Sequence, residues 1–150
     1  DQCYGMLTDQ DFLKARYEGI GCRNISFTEF GQDGEVFRIK CTRDVRSNPP
    51  AFARKIISEW NTLDETIEWV RQGDDSARAA YRAATKGVPG SIEGQFVLRS
   101  KGGGCEEDIA MTASVGIPMI GKKIAALVES ESAEALAKEY DFTRDRLGER

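Results

Sequence analysis

The feature that most constrains this chain is its C-terminal end. From Pro118 to Arg150, apolar or small residues recur at Ile120, Ile124, Leu127, Val128, Ala135, Leu136, Tyr140, Thr143 and Leu147. Gaps of three, four and seven place them in one stripe on a 3.6-residue period, the pattern of an amphipathic helix. Pro118 can open such a helix, because its missing N–H would lack a partner in the first turn anyway. No proline follows it, and Gly121 and Gly148 stand near the two ends. A helix of about 28 residues is roughly 42 Å long, against about 11–12 residues for an average one. The strict heptads and flanking charges of a coiled coil are missing. So long and one-sided a helix needs a surface to receive its stripe, and the upstream residues must supply it.

Composition narrows the options. The 150 residues suffice for a hydrophobic core, and one domain over 1–150 is expected. A net charge of −4 speaks against a nucleic-acid partner. The four cysteines (Cys3, Cys22, Cys41 and Cys105) show no C-x-x-C spacing, so no zinc or redox motif is visible. They are expected to be reduced and mostly buried, as in a cytoplasmic protein. The chain has no histidine, which removes the commonest general base and the commonest metal ligand. No metal and no cofactor are expected. No secretory signal opens the chain. The longest uncharged run, Ile109 to Gly121, is 13 residues, too short to span a bilayer as a helix.

Upstream of the long helix, the first 20 residues read as two short helices. Cys3, Tyr4, Met6 and Leu7 line the first. Thr8 is the expected N-cap of the second, whose buried face is Phe12, Leu13, Tyr17 and Ile20. From Arg23 the period changes to two. Ile25 and Phe27, then Phe37, Ile39, Cys41 and Val45, mark two strands around the turn GQDG. Residues 47–61 interrupt the pattern. Phe52, Ile56 and Trp60 at spacing four predict a short amphipathic helix, placed to act as a lid. Strands resume over Leu63–Val70, Ala77–Lys86, Ile92–Arg99 and Glu107–Val115, joined by QGDDS, GVPG and KGGG turns. Six strands on tight turns make an antiparallel sheet. Its apolar face needs a cover, and the long helix is the available one. To wrap that helix the sheet must curve, through bulges or a strand glycine such as Gly94. Curvature leaves either a packed core or a cavity between the two.

This order of elements resembles the START-like superfamily, which includes the birch pollen allergen, lipid-transfer domains and polyketide cyclases. Within it the chain is most similar to a bacterial family of unknown function. The matching stretches are MLTDQDFLKARYEGIGCRN (6–24), GVPGSIEGQFVL (87–98) and VGIPMIGKKIAALVESESAEALAKEYDFTRDRL (115–147). The resemblance implies a helix-grip α+β fold: a curved antiparallel sheet around a long C-terminal helix, with a hydrophobic pocket between them. It also implies a strand before the first short helix. Asp1 already stands in that helix, so the strand is expected to precede Asp1.

Strand parity picks the inward residues. The expected ligand-binding set is Phe37, Ile39, Arg43, Glu65, Ile67, Trp69, Tyr81, Phe96, Met111 and Ala113 from the sheet, with Ile124, Leu127 and Val128 from the helix. Phe52, Ile56 and Trp60 form the expected lid. If Val45 pairs with Leu63, Arg43 falls opposite Glu65 and Ile39 opposite Trp69. Arg43, Glu65 and Tyr81 then make a polar patch that either orients a ligand head group or forms a structural ion pair. Glu106, Glu107 and Asp108 cannot converge on a metal, because neighbours on a strand point to opposite faces. Glu129, Glu131, Glu134 and Glu139 read as the solvated face of the long helix, with Glu131 nearest the stripe. KGGG joins strands and is a hairpin turn, not a phosphate cradle. The leading expectation is a non-enzymatic protein that binds or carries a small hydrophobic or amphipathic molecule. The rivals are a cyclase or hydratase using Tyr81, Glu65 and Arg43 as acid, base and stabiliser, and an interaction module whose Phe52–Trp60 face meets a membrane or a protein.

Overall fold

A computed structural model describes residues 2–148. Two short helices, α1 (Gln2–Leu7) and α2 (Gln10–Gly19), precede six strands. These are β1 (Arg23–Asp33), β2 (Val36–Arg46), β3 (Trp60–Arg71), β4 (Ser76–Thr85), β5 (Gly90–Lys101) and β6 (Gly104–Val115). The long helix α3 follows at Gly121–Gly148. The sheet is a pure antiparallel meander in the order β1-β2-β3-β4-β5-β6. This is the expected α+β helix-grip arrangement. The expected strand before α1, and Asp1 itself, lie outside the described residues.

Alternation decides which face is buried. On β3 and β4, Leu63, Glu65, Ile67 and Trp69, then Ala77, Ala79, Tyr81 and Ala83, are buried while their neighbours face outward. The sheet curves by the devices expected. The β1–β2 register slips between Arg23 and Ser26 and again between Phe27 and Glu29, as bulges do. On β5, a Cβ at Gly94 would run into the Ala110 carbonyl oxygen and the Met111 side chain. Gly94→Ala should therefore cost about 1–3 kcal/mol by overpacking. A denaturant midpoint equal to wild type would show that β5 and β6 can part at no cost.

Several local expectations are corrected. Asp9, not Thr8, caps α2, accepting the Phe12 N–H at 3.2 Å. The β2–β3 register is shifted by two, so Arg43 pairs with Leu63, Cys41 with Glu65 and Ile39 with Ile67. The predicted helix over 47–61 shrinks to a 3-10 turn at Ala51–Ala53. Pro49 and Pro50 limit its start, and Trp60 already belongs to β3. The cysteines are not all reduced, because Cys3 and Cys105 are joined in a disulfide that ties α1 to β6. Cys22 and Cys41 are free thiols.

Helix α3 makes its closest backbone approach to β6 and to α2. At the α2 crossing the ring of Phe142 sits where a Gly19 Cβ would be, at 2.7 Å. Only Gly121, Ile124 and Glu139 of α3 are buried. Leu127, Val128, Ala135, Leu136, Thr143 and Leu147 are half-buried, and Tyr140 turns out to solvent. The apolar stripe is aimed at the sheet but does not close on it.

Candidate functional site

The space between stripe and sheet is a hollow of 2380 Å³. Typical small-molecule pockets measure about 300–1000 Å³. Its walls follow from the strand parity already described. Leu63, Glu65, Ile67 and Trp69 come from β3, Tyr81 from β4, and Phe96 and Leu98 from β5. Ile109 and Met111 come from β6, and Leu127, Val128, Ala135 and Leu147 from α3. Trp69, Phe96 and Tyr81 form an aromatic run across three strands, with ring centroids 6.1 and 5.1 Å apart.

Of the residues expected to bind ligand, Arg43, Glu65, Ile67, Trp69, Tyr81, Phe96, Met111, Leu127 and Val128 line the hollow. Phe37, Ile39, Ala113 and Ile124 do not. Ile39 and Ile124 are sealed in the cores to either side, and Phe37 packs edge-on against Phe30. Ala113 is buried near the β6 edge, where its N–H donates to Glu129 Oε2 at 2.8 Å. Of the expected lid, Trp60 reaches the wall and Phe52 and Ile56 do not. Trp60 sits under the Arg23 guanidinium, 3.9 Å from its ring centre.

The polar patch inferred from parity is assembled, and it is larger than Arg43, Glu65 and Tyr81. Glu65 Oε2 accepts from Arg43 Nη2 at 2.9 Å and from the Tyr81 hydroxyl at 2.6 Å. Glu65 Oε1 accepts from the Tyr17 hydroxyl at 2.8 Å. The Arg43 guanidinium also lies 3.8 Å over the Tyr17 ring. Burial alone would push the Glu65 carboxyl up, but the Arg43 charge and the hydrogen bonds from Tyr81, Tyr17 and Arg43 hold it below the usual range. Burial, reinforced by the Glu65 charge, pushes the Tyr17 and Tyr81 hydroxyls well above theirs. Burial also raises the nearby Cys41 thiol to about 12. Such a carboxylate, ionised and engaged at both oxygens, is a weak base, and the tyrosines are weak acids.

A second cluster joins α2 to α3. Arg16 Nη2 pairs with Glu139 Oε1 at 2.9 Å, and Arg16 Nη1 donates to Thr143 Oγ1 at 3.4 Å. Glu139 is thus buried, and the supposed solvated face is divided. Glu131 accepts from the Ser47 hydroxyl at 2.8 Å, Glu129 holds the β6 edge, and Glu134 stays exposed.

Glu107, on β6, lines the hollow with its side chain exposed to solvent. Loss of hydration raises its carboxyl to about 7, against the pull of Arg16. Its folded-state proton is held above the pH where an unfolded glutamate loses it, near ~4.3. Its contribution to stability is therefore full in acid and is lost as pH rises through about 7. Glu107→Gln should melt with wild type near the acid end and above wild type on the alkaline side. A midpoint difference that does not change with pH would refute the shift.

No group of Cys, Asp and Glu side chains is arranged to hold a metal among the described residues. No helix there is long and apolar enough to cross a membrane. The model of a family described as a protein of unknown function, DUF2505, matches residues 1–147. The chain belongs to that family. A search of curated proteins finds no match. For this DUF2505 protein, chemistry must therefore be argued from the hollow itself. Tyr17, Arg16, Glu139 and Glu107 were missed in the sequence as site residues. A tyrosine on the apolar face of α2 was the available signal, since a buried hydroxyl needs a partner.

Proposed function

We propose that the protein binds and carries a small hydrophobic or amphipathic molecule in the hollow between sheet and α3, in the manner of the START-like proteins its sequence resembles. The observation that carries this reading is the unclosed stripe of α3, which faces 2380 Å³ of space lined by apolar and aromatic side chains with charged and polar ones among them. A chain selected only for stability would fill such a space, because interiors pack near crystal density. The polar cluster suits the head of an amphipathic molecule. The Nε–H groups of Arg16 and Arg43 are buried without a hydrogen-bond partner, and both residues line the hollow. A hydroxyl, carbonyl or carboxylate oxygen on the ligand would reach them only if these side chains shift, because neither Nε has surface open to the hollow. The cytoplasmic expectation goes with the absence of a secretory signal and with reduced thiols. The Cys3–Cys105 bond weighs against the second ground, since such bonds persist chiefly in oxidising compartments.

The test is native mass spectrometry of protein purified under mild conditions from its own cells. A bound small molecule that is released on denaturation is expected. A bare chain that also fails to take up an apolar dye would end the proposal. Catalysis is the second reading: Glu107 lines the hollow with Arg16 and Glu139, and its carboxyl is raised. If so, Glu107 would be the proton carrier of a cyclase or hydratase step, and Glu65 would not. A copurified molecule converted by wild type and left unchanged by Glu107→Gln would establish it.

A further inference from the structure

At one end of the sheet, three segments pack together: residues 47–57, 84–92 and 113–128. A small buried cluster of Ala53, Ile57 and Ile124, flanked by Val88, Val115 and Ile120, holds them. These segments carry Arg54, Lys55, Lys86, Lys122 and Lys123 and no aspartate or glutamate of their own, while the Glu129 and Glu131 carboxylates bond Ala113 and Ser47 at their ends. The whole chain has 25 acidic and 21 basic residues, so the sign here runs against the average. All five cations are exposed. Arg54 donates only to the Pro49 carbonyl, at 3.3 Å. Among the described residues none of the five forms an ion pair, although pairs are frequent elsewhere on the surface. Two of the chain's most exposed large apolar side chains stand among them. Met119 is 99% exposed and Phe52 45%, with the Lys123 ammonium 6.0 Å from the Phe52 ring centre.

Folding does not ask for this arrangement. An exposed methionine gains nothing from burial, and Met119 also holds a left-handed backbone, φ 72, that costs energy for a residue with a side chain. We propose that this end of the molecule docks on an anionic bilayer surface, with Met119 and Phe52 entering the head-group layer and the five cations facing its phosphates. Charge complementarity selects that occupant: a like-signed cluster around short apolar prongs fits a surface of diffuse negative charge. Pro49, Arg54, Ile57 and Val88 also line the hollow, so the docked protein would present one rim of it to the bilayer. The docking stands whether or not the hollow carries a ligand.

Cosedimentation with extruded vesicles tests it, using phosphatidylcholine alone and phosphatidylcholine mixed with phosphatidylglycerol. Binding to the mixed vesicles only, weakening as salt is raised, is expected. Neutralising Lys122 and Lys123 to Gln should cut that affinity roughly thirtyfold, at about fivefold per cation, and Met119→Ser should lower it further. Both changes are at exposed positions, and an unchanged melting curve verifies the fold. Neutralising Lys138 and Arg144, far along α3, should leave binding intact. Equal binding to both vesicles, binding to neither, or no effect of the lysine changes would overturn the proposal. So would a dimer in sedimentation that Met119→Ser dissolves, because the patch would then belong to a second copy of this chain.

Discussion

Cys105→Ser should lower the thermal midpoint by roughly 10–20 °C. Cys3 and Cys105 are 102 residues apart, and closing a loop of about 100 residues restricts the unfolded chain by up to ~4.7 kcal/mol. For a domain of this size each kcal/mol moves the midpoint by about 2–4 °C. The native contacts around the bond add a second reason. Met6 and Leu7 of α1 are buried, and Tyr4 meets Trp69 edge-on at 6.0 Å. A six-residue helix is far too short to hold its shape alone, so the bond keeps α1 on the wall of the hollow. Reductant should move wild type to the midpoint of Cys105→Ser and leave the variant where it is. Equal midpoints for wild type and variant under oxidising conditions would show that the bond contributes nothing.

The sequence revealed most about elements and least about pairings. The long helix, both short helices and all six strands could be read, because each carries its own period or its own turn residues. GQDG, QGDDS, GVPG and KGGG all connect neighbouring strands in the meander. The β2–β3 register was misjudged by two because β3 begins at Trp60, three residues before the apolar alternation becomes visible. A shift of two leaves every side chain on its original face, whereas a shift of one would have turned the set inside out. Arg43 and Glu65 therefore still meet, as diagonal neighbours with long side chains. The lid failed for a different reason. Spacing of four at Phe52, Ile56 and Trp60 fits a helix, but Trp60 obeys the strand that follows it. The Cys3–Cys105 bond and the Arg16–Glu139 pair were illegible, because contacts across more than 100 residues leave no local pattern. The hollow was legible only as an alternative to a packed core. Its size depends on where α3 comes to rest, and the stripe alone does not fix that.

Glu65→Leu should be the most damaging single change inside the hollow, costing about 3–5 kcal/mol. Glu65 is 4% exposed and Arg43 5%. Removing the carboxylate leaves the guanidinium buried without its counter-charge, and that stranded charge is the main loss. The Tyr17 and Tyr81 hydroxyls lose their acceptor as well. A second substitution separates the pair from its neighbours. Adding Arg43→Met to Glu65→Leu removes the stranded charge, so the double variant should be more stable than Glu65→Leu alone. The two tyrosines would still lack an acceptor, so recovery should stop short of wild type. The pH dependence follows from the lowered Glu65 carboxyl. A depressed folded-state value contributes stability that is present above the unfolded value near ~4.3 and is lost as pH falls through the folded one. Wild type should therefore lose its advantage over Glu65→Leu in acid and keep it in full at neutral pH. A double variant no more stable than Glu65→Leu would show that Arg43 does not depend on Glu65. A Glu65→Leu deficit that persists unchanged into acid would show that shape, not charge, fixes this corner of the wall.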